Sequence, residues 1–114
     1  MERLTREQLL AKRTAVTEEV EIPGVGIVEV RGLTRHEVLE GQRIRKGTAA
    51  IERYMMSRAM VDPELSEDDI AQLQRDAPAG EFEAVTNKIQ ELSKIDMAAA
   101  TKEIYKSLRD ESGE

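Results

Sequence analysis

The chain has no cysteine and no tryptophan, a single histidine, and only three aromatic residues (Tyr54, Phe82 and Tyr105) in 114. Without cysteine there are no disulfides and no thiolate metal ligands. With so few rings, any core has to be built from Leu, Ile, Val, Met and Ala. His36 has no second histidine with which to share a metal and no cysteine to activate. No serine stands in a nucleophile motif either. Apolar runs fall far short of the ~20 residues that span a bilayer, so no membrane role is expected. The sequence does not open on a basic-then-apolar leader, which makes the cytoplasm the expected compartment.

Charge is plentiful, at 35% of residues with a net of −6, and it is unevenly placed. Residues 1–30 carry a net of −2, residues 31–60 a net of +4 and residues 61–114 a net of −8. One reading is that these are the solvated faces of separate helices. The other is that the basic middle and acidic end attract, within one molecule or between copies stacked head to tail.

The pattern of side chains divides into segments. Thr5 with Gln8 three residues on has the form of a capping box and predicts a short helix over residues 5–15, with Leu9 and Leu10 as a thin apolar stripe. Residues 17–31 alternate with period two, placing Val20, Ile22, Val28 and Val30 on one face around a turn at Pro23-Gly24-Val25-Gly26. That is a hairpin, and a lone hairpin needs helices or further strands to cover it. Thr34 and Glu37 form a second capping signature before a helix over about 35–46. Residues 48–61 predict the most apolar helix, with Ile51, Met55 and Ala59 on one face, widened by Met56 and Met60. Asp62-Pro63 ends it. Ser66 caps a helix to about Arg75, Pro78-Ala79-Gly80 separates it from a helix over 81–95, and residues 97–114 read as a helical extension with Ile104 and Leu108 on one stripe and a polar tail. The expectation is one α+β domain, mostly helical, with an N-terminal β-hairpin packed on four to five helices. Its core would lie over about residues 17–96.

Candidate chemistry is sparse. The acidic run from Asp62 to Asp69 lacks the alternating ligands and central glycine of a calcium loop, and helix capping explains its acids. Gly24-Val25-Gly26 lacks the lysine and strand-to-helix context of a phosphate loop. The basic stretch from Arg31 to Arg58 is interrupted by Glu37, Glu40 and Glu52, which weighs against nucleic acid. No catalytic, metal or cofactor residue is expected. Methionines remain. At 55, 56 and 60 they are either core filler or, with Tyr54, a surface that accepts varied apolar segments. Tyr54, Met55, Met56, Met60, Ile104 and Leu108 are therefore the candidate partner-binding residues.

Four segments in this order carry a resemblance: Val28-Glu29-Val30-Arg31-Gly32-Leu33-Thr34-Arg35-His36-Glu37 closing the hairpin, Glu52-Arg53-Tyr54-Met55-Met56 in the central helix, Val61 to Ile70 at the break, and Ile89-Gln90-Glu91-Leu92-Ser93-Lys94-Ile95 at the close. Together they cover roughly residues 17–96. The pattern resembles the tail assembly chaperones of long-tailed double-stranded DNA bacteriophages. The resemblance implies a non-catalytic protein of the host cytoplasm, absent from the mature virion. Such proteins bind the tape measure protein, keep it soluble and assist polymerisation of the tail tube protein around it. The family often makes a second, longer product by translational frameshifting, of which this chain would be the short form, and opposite charge or the hairpin edge offers copies of the chain a means of self-association. Apart from the resemblance, the residues equally suit a small helical adaptor or regulator that binds a protein unrelated to tails.

Overall fold

The computed structural model of the protein describes residues 2–95. Among them the order is α1 (Arg6–Leu10), β1 (Thr17–Ile22), β2 (Gly26–Arg31), α2 (Arg35–Gln42), α3 (Thr48–Ala59), β3 (Met60–Asp62), α4 (Glu67–Asp76) and α5 (Glu83–Ser93). The expected α+β class is what the structure has, with one element more than the sequence reading: a third strand.

β1 and β2 pair antiparallel from Thr17 opposite Arg31 to Ile22 opposite Gly26. The Val25 amide donates to the Ile22 carbonyl at 2.9 Å, and Gly24 takes φ +77°, a left-handed conformation that a side chain resists. Val20, Ile22 and Val30 are buried and Val28 is partly buried against them, so the alternation sorts the hairpin faces as expected. β3 continues the sheet on the other side of β2, in the order β1-β2-β3. Val30 faces Met60 and Glu29 faces Asp62, with an irregularity between the two pairs.

β3 corrects the expected helix over 48–61. α3 stops at Ala59 and Met60 takes an extended backbone (φ −74°, ψ 117°). The 3.6-residue period of Met56 and Met60 runs across this change, but pairing with β2 claims the last turn. Three further helices are shorter than expected: α1 ends at Leu10 instead of residue 15, α2 at Gln42 instead of residue 46, and α5 runs over Glu83–Ser93 instead of 81–95.

Helices cover one face of the sheet. Val85 and Ile89 of α5, Ile51, Met55, Met56 and Ala59 of α3, and Ile70 of α4 close the core with the strand residues. The other face is open. Glu19, Glu29 and Asp62 stand in register across the three strands, and Ile27 beside them is 65% exposed. No helix among the described residues is long and apolar enough to cross a membrane.

Candidate functional site

The segment from Arg31 to Glu37 is a clasp. The Arg31 guanidinium donates twice to the Glu37 carboxylate, at 2.8 and 2.7 Å, and once to the Gly32 carbonyl at 3.0 Å. Glu37 also accepts from the Thr34 amide at 3.0 Å, while Thr34 Oγ1 accepts from the Glu37 amide at 3.2 Å. The hydrogen bonds from Arg31 hold the Glu37 carboxyl down to about 2, well below its ordinary 4.5. Next to the pair, Gly32 passes so close to α5 that a Cβ there would lie 2.5 Å from the Leu92 carbonyl oxygen. The Leu33 amide donates to Ser93 Oγ at 2.7 Å, and that hydroxyl donates to the Ile89 carbonyl at 2.6 Å. These residues are spent on holding β2, α2 and the end of α5 together. They account for the hairpin-closing stretch without a ligand.

A different region has the form of a receptor. α3, α4, the Ala77–Gly80 bend and the start of α5 enclose a cleft of about 350 Å³, within the range of ~300–1,000 Å³ common for binding clefts. Its floor is apolar: Met56, Ile70, Leu73 and Phe82. The sequence builds its walls locally. Ser66 caps α4 through a complete box with Asp69, which starts the helix in the phase that turns Ile70 and Leu73 inward. Gln74, one residue further, locks α4 to α3: its Nε2 donates to the Ala49 carbonyl and to Glu52 Oε1 at 3.1 Å each, and its Oε1 accepts from Arg53 at 3.0 Å. The lip is set by two turns, Glu81 N to Pro78 O at 3.0 Å and Glu83 N to Gly80 O at 3.2 Å. Glu52 and Glu83 are exposed at the rim, and no lysine or arginine is among the lining residues. Apolar depth with an acidic rim suits an apolar side chain flanked by basic ones.

The structure separates the residues expected to face a partner. Met55 (2% exposed), Met56 (4%) and Met60 (5%) are core, which corrects their partner-facing reading. Met55 lies against Gly41, where a Cβ would come within 2.6 Å of its methyl carbon, so it fills the α2–α3 contact. Met60 is held in β3 opposite Val30. Met56 alone of the three lines the cleft, as part of its floor. Tyr54 is partly buried, with the Arg58 guanidinium 4.7 Å above its ring, and does not line the cleft. Ile104 and Leu108 lie outside the described residues.

The cleft residues that sequence reasoning missed as a site, Ile70, Leu73 and Phe82, had registered only as core positions. The available signal was Pro78-Ala79-Gly80. Small residues between two amphipathic helices cannot fill the corner they turn.

A broader hollow of about 770 Å³ mixes Arg31 and Arg58 with Glu64 and Asp69, and so presents no single sign of charge. His36 is exposed on α2. No group of three or more His, Asp or Glu among the described residues is placed to hold a metal. Comparison of the chain with known protein families, curated proteins and solved structures finds no match.

Proposed function

We propose that the protein is a non-catalytic chaperone of the phage tail-assembly type. It would mask apolar side chains on a helical client, the tape measure protein, while the tail tube protein polymerises around it. The observation that supports a binding role is the cleft: an apolar floor of Met56, Ile70, Leu73 and Phe82 under the acidic rim of Glu52 and Glu83. The resemblance in the order of sequence segments supports the choice of client. The cleft takes one or two apolar side chains from a helix, as in helix-in-groove recognition, and several copies would line a long client. High surface charge keeps the free chain dispersed. Host cytoplasm, and release before the virion is complete, follow from this reading.

The test is co-expression with the tape measure protein encoded in the same genome, scoring co-purification and the soluble yield of the client. A stable complex and a clear gain in solubility are expected. A folded chain that neither binds nor solubilises the client, in its short or its frameshifted form, would return the protein to the class of adaptors with an unrelated partner.

A further inference from the structure

Ahead of the sheet, residues 2–16 are exposed throughout. Leu4 is 66% exposed, Leu9 55%, Leu10 64% and Val16 65%. Yet the segment is locally well made. Thr5 and Gln8 complete a capping box, Thr5 N to Gln8 Oε1 at 2.9 Å and Gln8 N to Thr5 Oγ1 at 3.2 Å. Leu4 and Leu9 occupy the two positions of a hydrophobic staple around that cap. Arg13 donates to the Leu9 carbonyl at 3.1 Å and so covers an orphan acceptor at the helix end. A five-residue helix does not hold in water by itself. A capped helix whose leucines stay more than half exposed is suited to completion by an apolar surface.

The cleft has the complementary chemistry. Residues 2–13 carry Arg3, Arg6, Lys12 and Arg13 against Glu2 and Glu7. The cleft offers an apolar floor and an acidic rim with no lining cation. The two features stand at opposite ends of the fold. The arm leaves from Thr17, opposite Arg31, beside the Gly32–Leu92 contact at the C-terminal end of α5, whereas the cleft lies at Phe82 and Thr86 at its N-terminal end. The length of α5 separates them, about 16 Å at 1.5 Å per residue. In the structure no arm residue lines the chain's own cleft and the arm is exposed throughout, which leaves the cleft open to the arm of another copy.

We propose that the N-terminal arm of one copy, residues 4–13, docks in the α3–α4–α5 cleft of another, with Leu9 and Leu10 on its apolar floor and the arm's basic residues against Glu52 and Glu83. Each copy then supplies one arm and one cleft. The contact is heterologous, so association continues past a dimer into a ring or an open chain of copies. It rests on the arm and the cleft alone, and because a client helix would use the same cleft, arm and client exclude each other there.

Sedimentation velocity of the full chain, from micromolar to millimolar, tests this with two variants. Leu9→Asp/Leu10→Asp changes only exposed arm residues, and Glu83→Arg reverses one exposed rim charge while leaving the Gln74–Glu52 hydrogen bond in place, with circular dichroism checking that both remain folded. The wild type is expected to grow past a dimer with concentration, and each variant to associate at least ~10-fold more weakly. Mixed together, the arm-defective variant keeps a cleft and the rim-defective variant keeps an arm. The mixture should therefore give a one-to-one complex that stops at the dimer. If the rim variant unfolds, Ala79→Trp, which fills the cleft from an exposed lip position, takes its place. A wild type that stays monomeric at millimolar concentration overturns the proposal. So does association that survives loss of the two leucines, or a mixture that forms no complex.

Discussion

Arg31 and Glu37 face each other through two parallel hydrogen bonds of 2.8 and 2.7 Å, joining the last residue of β2 to the first turn of α2. Their side chains are 25% and 14% exposed, so water screens the pair only partly. One carboxylate thus serves two joints, since it also caps the Thr34 amide.

Glu37→Gln keeps a capping side chain and removes the charge, and is expected to cost ~1–2 kcal/mol at neutral pH, since water still screens the pair in part. The sign with pH follows from the lowered carboxyl, about 2 in the folded chain against an ordinary 4.5. Its contribution is complete above the unfolded value, falls as pH drops below about 4.5, and is gone below about 2. Urea unfolding of both proteins at pH 7, 4 and 3 should show the gap between them narrowing as acid is added.

Two glycines next to this clasp and the central helix should respond differently to the same change. At Gly32 the added methyl meets backbone, the Leu92 carbonyl at 2.5 Å. Gly32→Ala is expected to destabilise by ~1–3 kcal/mol through forced separation of β2 and α5. At Gly41 the first obstacle is the flexible end of Met55, at 2.6 Å. There a rotamer change and the ~1 kcal/mol helix preference of alanine over glycine offset the crowding, so Gly41→Ala should stay within ~1 kcal/mol of wild type. Thermal unfolding of the two variants separates backbone from side-chain obstruction.

On the open face of the sheet, Glu19 and Glu29 are direct cross-strand neighbours, and Asp62 follows on β3. Like charges in register oppose pairing. Glu19→Lys turns one repulsion into an attraction and is expected to stabilise by ~0.2–1 kcal/mol. The gain should shrink in high salt, which unfolding with and without added sodium chloride would reveal.

For the cleft, Ala79→Trp places a large ring at an exposed lip position. Stability should remain within ~0.5 kcal/mol of wild type. Retention of the tape measure protein in the co-expression test should drop sharply. Met56→Ala, by contrast, removes a buried side chain and is expected to cost ~2–5 kcal/mol, which makes it a poor probe of binding.

The hairpin was legible because its signal is local: Val20, Ile22, Val28 and Val30 alternate around a turn whose glycines announce themselves. The caps at Thr5, Thr34 and Ser66 were legible for the same reason, since a capping box is complete within four residues. β3 was not. Met60-Val61-Asp62 is a strand because β2 lies alongside, and a partner 30 residues away leaves no mark on helical periodicity. The one local hint was Asp62-Pro63, which favours extended backbone before the proline. The methionines show the limit from the other side. Helical spacing puts Met55 and Met56 on an apolar face but does not say what that face meets. Packing against Gly41, and the position of Ile70, decide that Met55 is filler and Met56 a cleft floor.

The hydrogen bond from the Leu33 amide to Ser93 has a bearing on how the chain comes off the ribosome. The hairpin over Thr17–Arg31 is synthesised early, but its apolar face lies on α5, the last described helix, and its end is fastened by Ser93. A hairpin alone in water is marginal. Val20, Ile22 and Val30 therefore have no lasting cover until some sixty more residues have emerged. The fold is completed late and as a whole, by the arrival of the segment that the first strands have been waiting for.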